Sequence, residues 1–193
     1  MVRPREFDER EALLAAMQVF WEKGYEAASI GDLTERMGIQ RPSLYAAFGG
    51  KKELFEAALK AYVGLSLEYI GRKLRSEPSV RESLLAYYRG IIEGSGSNNP
   101  DFGCLCVNTM VELARHEPQF ARITSEYQSQ LTELLRGRIE QGIQSGEFKP
   151  RLSAFSVARL LALTAIGLSV TVKARPERSQ VADVEREILT LLE

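Results

Sequence analysis

The sequence predicts an all-α fold of about nine helices. Apolar residues recur at helical spacing rather than alternating. The Asn-Gly and Asp-Gly turns that close β-hairpins are missing, and glycine or proline interrupts the chain at helix-length intervals. With 193 residues, 45% of them apolar and 26% charged, the chain is long enough to bury a sizeable core.

The elements follow in order. A first helix over about 8–23 carries Leu13, Leu14, Met17, Phe20 and Trp21 on one stripe, and Gly24 supplies a left-handed stop. Ser29 opens a short second helix, and Asp32 three residues on completes a capping box. Ile30, Leu33 and Met37 face inward there, and Gly38 ends the helix. A third helix, Gln40 to Phe48, has Pro42 in its first turn, where a missing N–H costs nothing, with Leu44 and Phe48 inside. After Gly49 and Gly50 a long fourth helix carries Leu54, Phe55, Ala58, Leu59, Tyr62, Val63, Tyr69 and Ile70. Ser79 and Glu82 box the start of the fifth, whose apolar residues are Leu84, Leu85, Tyr88, Ile91 and Ile92. The run "GSGSNNPDFG" reads as a loop. Further helices cover about 104–115, then, after a break at Pro118, a long amphipathic stretch to Ser145. The segment 153–173 is apolar nearly all round. After Pro176 a last helix sets Val181, Val184, Ile188 and Leu191 on one side.

Charge placement says more than charge balance. The chain has 25 basic and 26 acidic residues, yet the window from Arg36 to Lys52 holds Arg36, Arg41, Lys51 and Lys52 and no carboxylate. Two short helices joined by a glycine turn at that point have helix-turn-helix dimensions. In that arrangement the second helix enters the major groove of duplex DNA and its N-terminal residues meet base edges. Gln40 suits adenine and Arg41 suits guanine or phosphate. Ser43 and Tyr45 offer hydroxyls, and Ala46 and Ala47 let the helix sit deep. Lys51 stands at a helix start, where side-chain charge and free N–H groups both attract phosphate. Each missing carboxylate would have faced a polyanion.

The run "SIGDLTERMGIQRPSLYAAFGGKKELF" resembles the N-terminal signature of the TetR family of transcriptional regulators. The likeness covers Phe7 to about Leu59 closely, through Phe20, Gly24, Ser29, Ile30, Leu33, Met37, Gly38, Ile39, Leu44, Tyr45, Phe48, Lys51, Leu54 and Phe55 at fixed spacing. Beyond Leu59 it is one of layout, with traces such as "GCLCVNT" and "GEF". The resemblance implies a DNA-binding domain over 1–53, joined through the fourth helix to a ligand-binding and dimerisation domain over 54–193. It implies a homodimer on a palindrome, usually a repressor. Carried over by position, Ser29, Gln40, Arg41, Ser43, Tyr45 and Lys51 contact DNA, and Thr34, Pro42 and Ala46 complete the candidate face. Thr34 stands where the family often has Ala, and Ala46 and Ala47 where bulkier residues are frequent, so the operator sequence is not read from this helix.

The body supplies candidate effector contacts in Tyr62, Tyr69, Tyr87, Tyr88, Phe102, Cys106, Met110 and Tyr127, aromatic and soft surface suited to a small apolar ligand. Bound ligand is expected to shift the fourth helix. Cys104 and Cys106 sit at a helix start, where the dipole favours the thiolate, so an electrophile- or oxidant-sensing repressor is the alternative reading. Positions i and i+2 point about 200° apart, which disfavours a disulfide between them. The last two helices are the expected dimer interface, because 153–173 has more apolar faces than one core can cover. No cofactor, metal site or membrane span is expected. His116 is the lone histidine, the charged start "MVRPREFDER" is followed by no apolar leader, and a cytoplasmic protein is expected. No nucleophile motif, phosphate-cradling loop or paired carboxylates speak for an enzyme. A DNA-free helical ligand binder is the remaining alternative.

Overall fold

The computed structural model describes residues 7–93, 102–175 and 178–192. Among them the helices are α1 (Glu9–Lys23), α2 (Ile30–Met37), α3 (Arg41–Phe48), α4 (Lys51–Lys73), α5 (Val80–Ile92), α6 (Leu105–Leu113), α7 (Pro118–Gln144), α8 (Ala154–Thr171) and α9 (Arg178–Leu191), with one 3-10 turn at Val172–Ala174. No strand occurs among the described residues. Most of the expected loop, residues 94–101, and the side chains of Val181 and Leu191 lie outside the description.

Local chemistry sets the helix ends. Asp8 caps α1, its carboxylate accepting from the amides of Arg10 and Glu11 at 2.7 and 3.1 Å. The Ser29–Asp32 capping box forms in full at α2. Gly38 adopts the left-handed conformation that turns the chain into α3. Gly24 has positive φ but an extended ψ of 172°, so it ends α1 without the left-handed cap the sequence suggests. A Cβ there would lie 3.0 Å from the Glu112 carboxylate of α6, so glycine leaves room for a contact from far along the chain.

The buried face of α1 differs from the expected stripe. Ala12, Ala16, Met17, Val19 and Phe20 are buried, whereas Leu13, Leu14 and Trp21 are partly covered. Helices α2 and α4 both pack on α1, and its alanines allow that close approach. Phe20, Tyr25, Phe55 and Phe120 form an aromatic seam, with centroid separations of 4.8 Å for Phe20–Phe55 and 5.0 Å for Phe55–Phe120. The seam joins α1 and the turn that follows it to α4 and α7, and one continuous core runs from Ala12 to Leu192.

At α5 the Ser79 hydroxyl accepts from the Glu82 amide as expected, but the acid of the box comes from elsewhere. Glu147, beyond α7, accepts from the Ser79 hydroxyl at 2.6 Å and from the Val80 and Arg81 amides at 2.8 Å. Phe148 beside it is buried against Gly142. The "GEF" triplet is therefore a clamp between α7 and α5. Burial, the largest influence, pushes the Glu147 pKa up, but the hydrogen bonds from Ser79, Arg81 and Val80 together hold it below the usual carboxylate range. A depressed folded-state pKa stabilises above the unfolded pKa, and the contribution is lost as pH falls through the folded one. Glu147→Ala is expected to cost about 1–2 kcal/mol at pH 7, seen as a melting temperature some degrees lower. The gap to the parent should close below about pH 4; a gap of constant size across that range would show that the carboxylate charge is not involved.

Helix α8 begins at a Ser153 cap and packs on α5, α6 and α7. The segment Ala154–Ala174 is long and apolar enough to cross a membrane, as a core helix also can be, and 44% of its apolar window is buried within the protomer. Phe155, Leu160, Leu163 and Val170 stay exposed on it.

Candidate nucleic-acid interface and the cavity behind it

Helix α3 presents the outer face that the sequence assigns to it. Leu44 is fully buried and Phe48 partly so, which turns Gln40, Arg41, Pro42, Tyr45 and Ala46 outward, with Ser43 half-buried beside them. Gln40 is the N-cap by backbone but makes no side-chain cap bond, so its amide is uncommitted. Among the described residues Arg41 has no ion-pair or hydrogen-bond partner. Tyr45 is 51% exposed, a high value for a ring with no structural reason to be outside.

The structure sorts the remaining candidates. The Ser29 hydroxyl donates to Asp32 at 2.8 Å and accepts the Asp32 amide at 3.0 Å, so it is occupied within the cap. Thr34 gives its proton to the carbonyls of Ile30 and Gly31, which leaves none for a phosphate oxygen. Lys51 lies 4.6 Å above the Tyr25 ring and donates to the Glu26 carbonyl at 3.2 Å, held near the start of α2 with charge to spare. The acid-free window is not free of acids in space. Arg36 pairs with Glu22 at 3.0 Å and Lys52 with Glu117 at 2.8 Å, carboxylates brought in from α1 and from the start of α7. Of the four cations in this window, Arg41 and Lys51 are the two left without a carboxylate partner among the described residues.

Behind α1–α3, the DNA reader expected from the sequence, lies a cavity of about 470 Å³. Tyr62, Tyr69, Tyr87 and Tyr127 line it, with Cys104, Ser66, Leu65 and Ile91. Tyr88, Phe102, Cys106 and Met110 are not among its lining residues. Tyr88 is fully buried and donates to the Leu161 carbonyl at 2.6 Å, and Cys106 is enclosed in the core. Burial raises the pKa of Tyr62, Tyr87 and Tyr127, so these phenols are neutral. Cys104 and Cys106 are both free thiols. The Cys104 thiol is held below its usual range by hydrogen bonds, first from Cys106 and then from Tyr62, the Val107 amide and Tyr127, which outweigh burial. Cys106, the donor in that pair, is pushed up.

The structure adds two lining residues from the reader itself, Met17 and Trp21 of α1. Trp21 donates through Nε1 to the Gly103 carbonyl at 3.0 Å and packs edge-on to Tyr62 at 4.9 Å. From the other end of α6, Glu112 accepts the amides of Tyr25 and Glu26 at 3.1 and 2.9 Å. Both were missed in the sequence. Trp21 sits on an apolar stripe that reads as core, though an indole N–H in such a stripe is a signal that a partner is needed. Glu112 has no local signal, because its partners are 86 and 87 residues away.

A three-helix reader with an outward-facing third helix, built directly onto a helical body with a cavity, is the arrangement of a DNA-binding transcriptional regulator. Residues 12–58 match the family described as bacterial regulatory proteins, tetR family, and residues 81–188 match the tetracyclin repressor-like C-terminal domain. The chain belongs to the tetR family of bacterial regulatory proteins. The HTH-type transcriptional repressor ComR of Escherichia coli (strain K12) is 30% identical over 172 residues, spanning 89% of this chain and 82% of ComR. The HTH-type transcriptional regulator YezE of Bacillus subtilis (strain 168) is 30% identical over 188 residues and 95% of each chain. A cysteine mutant of the TetR family transcriptional regulator CifR, solved with a 26-bp double-strand operator DNA, is 36% identical, covers 97% of this chain and 98% of its own, and superposes with a TM-score of 0.84.

Proposed function

We propose that this regulator is a cytoplasmic homodimeric repressor that leaves a palindromic duplex operator when a small molecule occupies the cavity. One observation carries the reading: the cavity wall includes Met17 and Trp21, residues of the reader's own first helix. A ligand seated there touches the DNA head without an intermediary. The reader spans 1–53 and the body 54–193, with α4 continuous across the boundary, so displacement of the body reaches α3 as rigid-body motion. The operator-bound relative supports the duplex target.

Helix α6 is the second route. Its N-cap, Cys104, is on the cavity wall, and Glu112 near its other end grips the α1–α2 connection. Glu112→Ala should therefore cut the effector's leverage on the operator. The ratio of operator Kd with and without a cavity ligand should fall about 5-fold, with ligand binding itself little changed. An unaltered ratio in fluorescence anisotropy would exclude α6 as a conduit.

The dimer forms through α8. On a helix turning about 100° per residue, Phe155, Leu163 and Val170 fall within about 80° of one another, with Leu160 about 60° beyond. Gln128, Ser129 and Thr132 of α7 border this face. Helix α9 contributes less, since Ile188 and Leu192 are buried in its own protomer and Arg89 of α5 holds its Glu185 at 2.9 Å.

Covalent sensing at Cys104 is the second reading, favoured by a thiol of lowered pKa on the cavity wall. A Cys104→Ser protein should lose release by iodoacetamide while keeping operator affinity. Undiminished release in that variant removes the reading.

A further inference from the structure

We infer that the cavity selects an uncharged, largely apolar molecule carrying one hydrogen-bond-accepting oxygen, and that the Tyr69 hydroxyl receives that oxygen. The inference rests on the cavity being the effector site and specifies what enters it.

The charges on the wall decide the first half. Among the described lining residues Glu68 and Arg72 are the only carboxylate and the only basic side chain; they stand 3.6 Å apart as an i,i+4 pair on α4, and their side chains are 66% and 67% exposed. They belong to the mouth. Deeper in, Trp21, Tyr62, Ile70, Tyr87 and Val172 offer no counter-charge, and the Cys104 sulfur is already held by Cys106, Tyr62, Val107 and Tyr127, so an ion entering would lose its hydration for little in return.

The second half comes from hydroxyl bookkeeping. Tyr127 has Ser66 at 3.4 Å and Cys104 at 3.9 Å, and Tyr62 is engaged with Cys104. Tyr69 differs. Its ring is flanked by the Lys73 ammonium at 5.9 Å, but its hydroxyl is buried with no hydrogen-bond partner among the described residues. A buried phenol without a partner is costly, and native structures seldom keep one. Tyr69 is one of the residues that line the cavity, so an occupant that displaces the side chains closed over this hydroxyl supplies the missing partner. A phenolic O–H donates, so the matching group is a carbonyl or ether oxygen.

Four probes on one skeleton test this with the full chain: 4-phenylbutan-2-one, butylbenzene, 4-phenylbutanoate and 4-phenylbutylammonium. Binding is followed by calorimetry and by the emission of Trp21, the single tryptophan of the chain. The ketone should bind most tightly, with both ions at least about 10-fold weaker. Tyr69→Phe should weaken the ketone about 5-fold and leave butylbenzene unchanged. Either ion binding as well as the ketone overturns the inference, and this comparison needs no variant. So does Tyr69→Phe protein of normal melting temperature that binds the ketone as the parent does. Operator release is read separately, by anisotropy of a labelled duplex from the protein's own promoter region. A ketone that binds by these rules without releasing the duplex leaves this inference intact and refutes the effector reading. Release by the anion alone does the reverse.

Discussion

Arg41→Glu is expected to lower operator affinity by between about 30-fold and about 20,000-fold while leaving the fold untouched. A bidentate arginine contact to a base or phosphate is worth about 1–3 kcal/mol, and a symmetric dimer loses two of them. Unfolding is a poor alternative explanation for such a loss. Arg41 is exposed, and a glutamate in the first turn of α3 sits where the helix dipole favours negative charge. The melting temperature should hold or rise slightly. The salt dependence should also change, with the slope of log K against log salt shallower by about 2 for the dimer. Arg36→Ala supplies the contrast, because Glu22 already holds that guanidinium. It should move affinity and slope much less. Equal effects from the two substitutions, or none from Arg41→Glu, would discard α3 as the reading helix.

Leu163→Glu should break the dimer and, through it, operator binding. Leu163 is 63% exposed in the isolated protomer and lies centrally on the apolar stripe of α8. In a two-fold interface each copy meets the same face of its partner, so one substitution buries two carboxylates in an apolar contact. Central interface residues commonly contribute 2 kcal/mol or more, and two copies give a loss of at least about 4 kcal/mol, near 1,000-fold in dimer dissociation. Sedimentation at micromolar concentration should show a monomer with unchanged helical content. Binding to a full palindrome should fall to the weak level of a single reader. A variant that still sediments as a dimer would move the interface off this face.

For repression and release the arrangement has one consequence. The reader is not suspended from the body by a linker. It shares the aromatic seam of Phe20, Tyr25, Phe55 and Phe120, the Lys52–Glu117 pair and the Glu112 clasp. Any change of body shape must be taken up by the reader, which suits the proposed dimer, whose two heads would have to match a fixed half-site spacing.

The helices, their caps and the reading helix were legible because each depends on residues a few positions apart. The capping box at Ser29, Pro42 in the first turn of α3 and the outward placement of Gln40, Arg41 and Tyr45 follow from helical spacing alone. The family signature was legible for the same reason, since its residues lie within one short stretch. Which charges remain available was decided only by tertiary structure. Glu22 and Glu117 neutralise two of the four cations in a window that is acid-free in sequence, and they arrive from helices packed alongside. Glu147 takes the place local reading gave to Glu82, and Trp21 becomes cavity wall rather than plain core. The cavity itself, with Tyr69 on its wall and Tyr88 turned to a carbonyl elsewhere, depends on how five helices and the start of α6 meet. Short-range chemistry is written in neighbouring letters. A contact across 60 to 90 residues exists only once the chain has closed on itself.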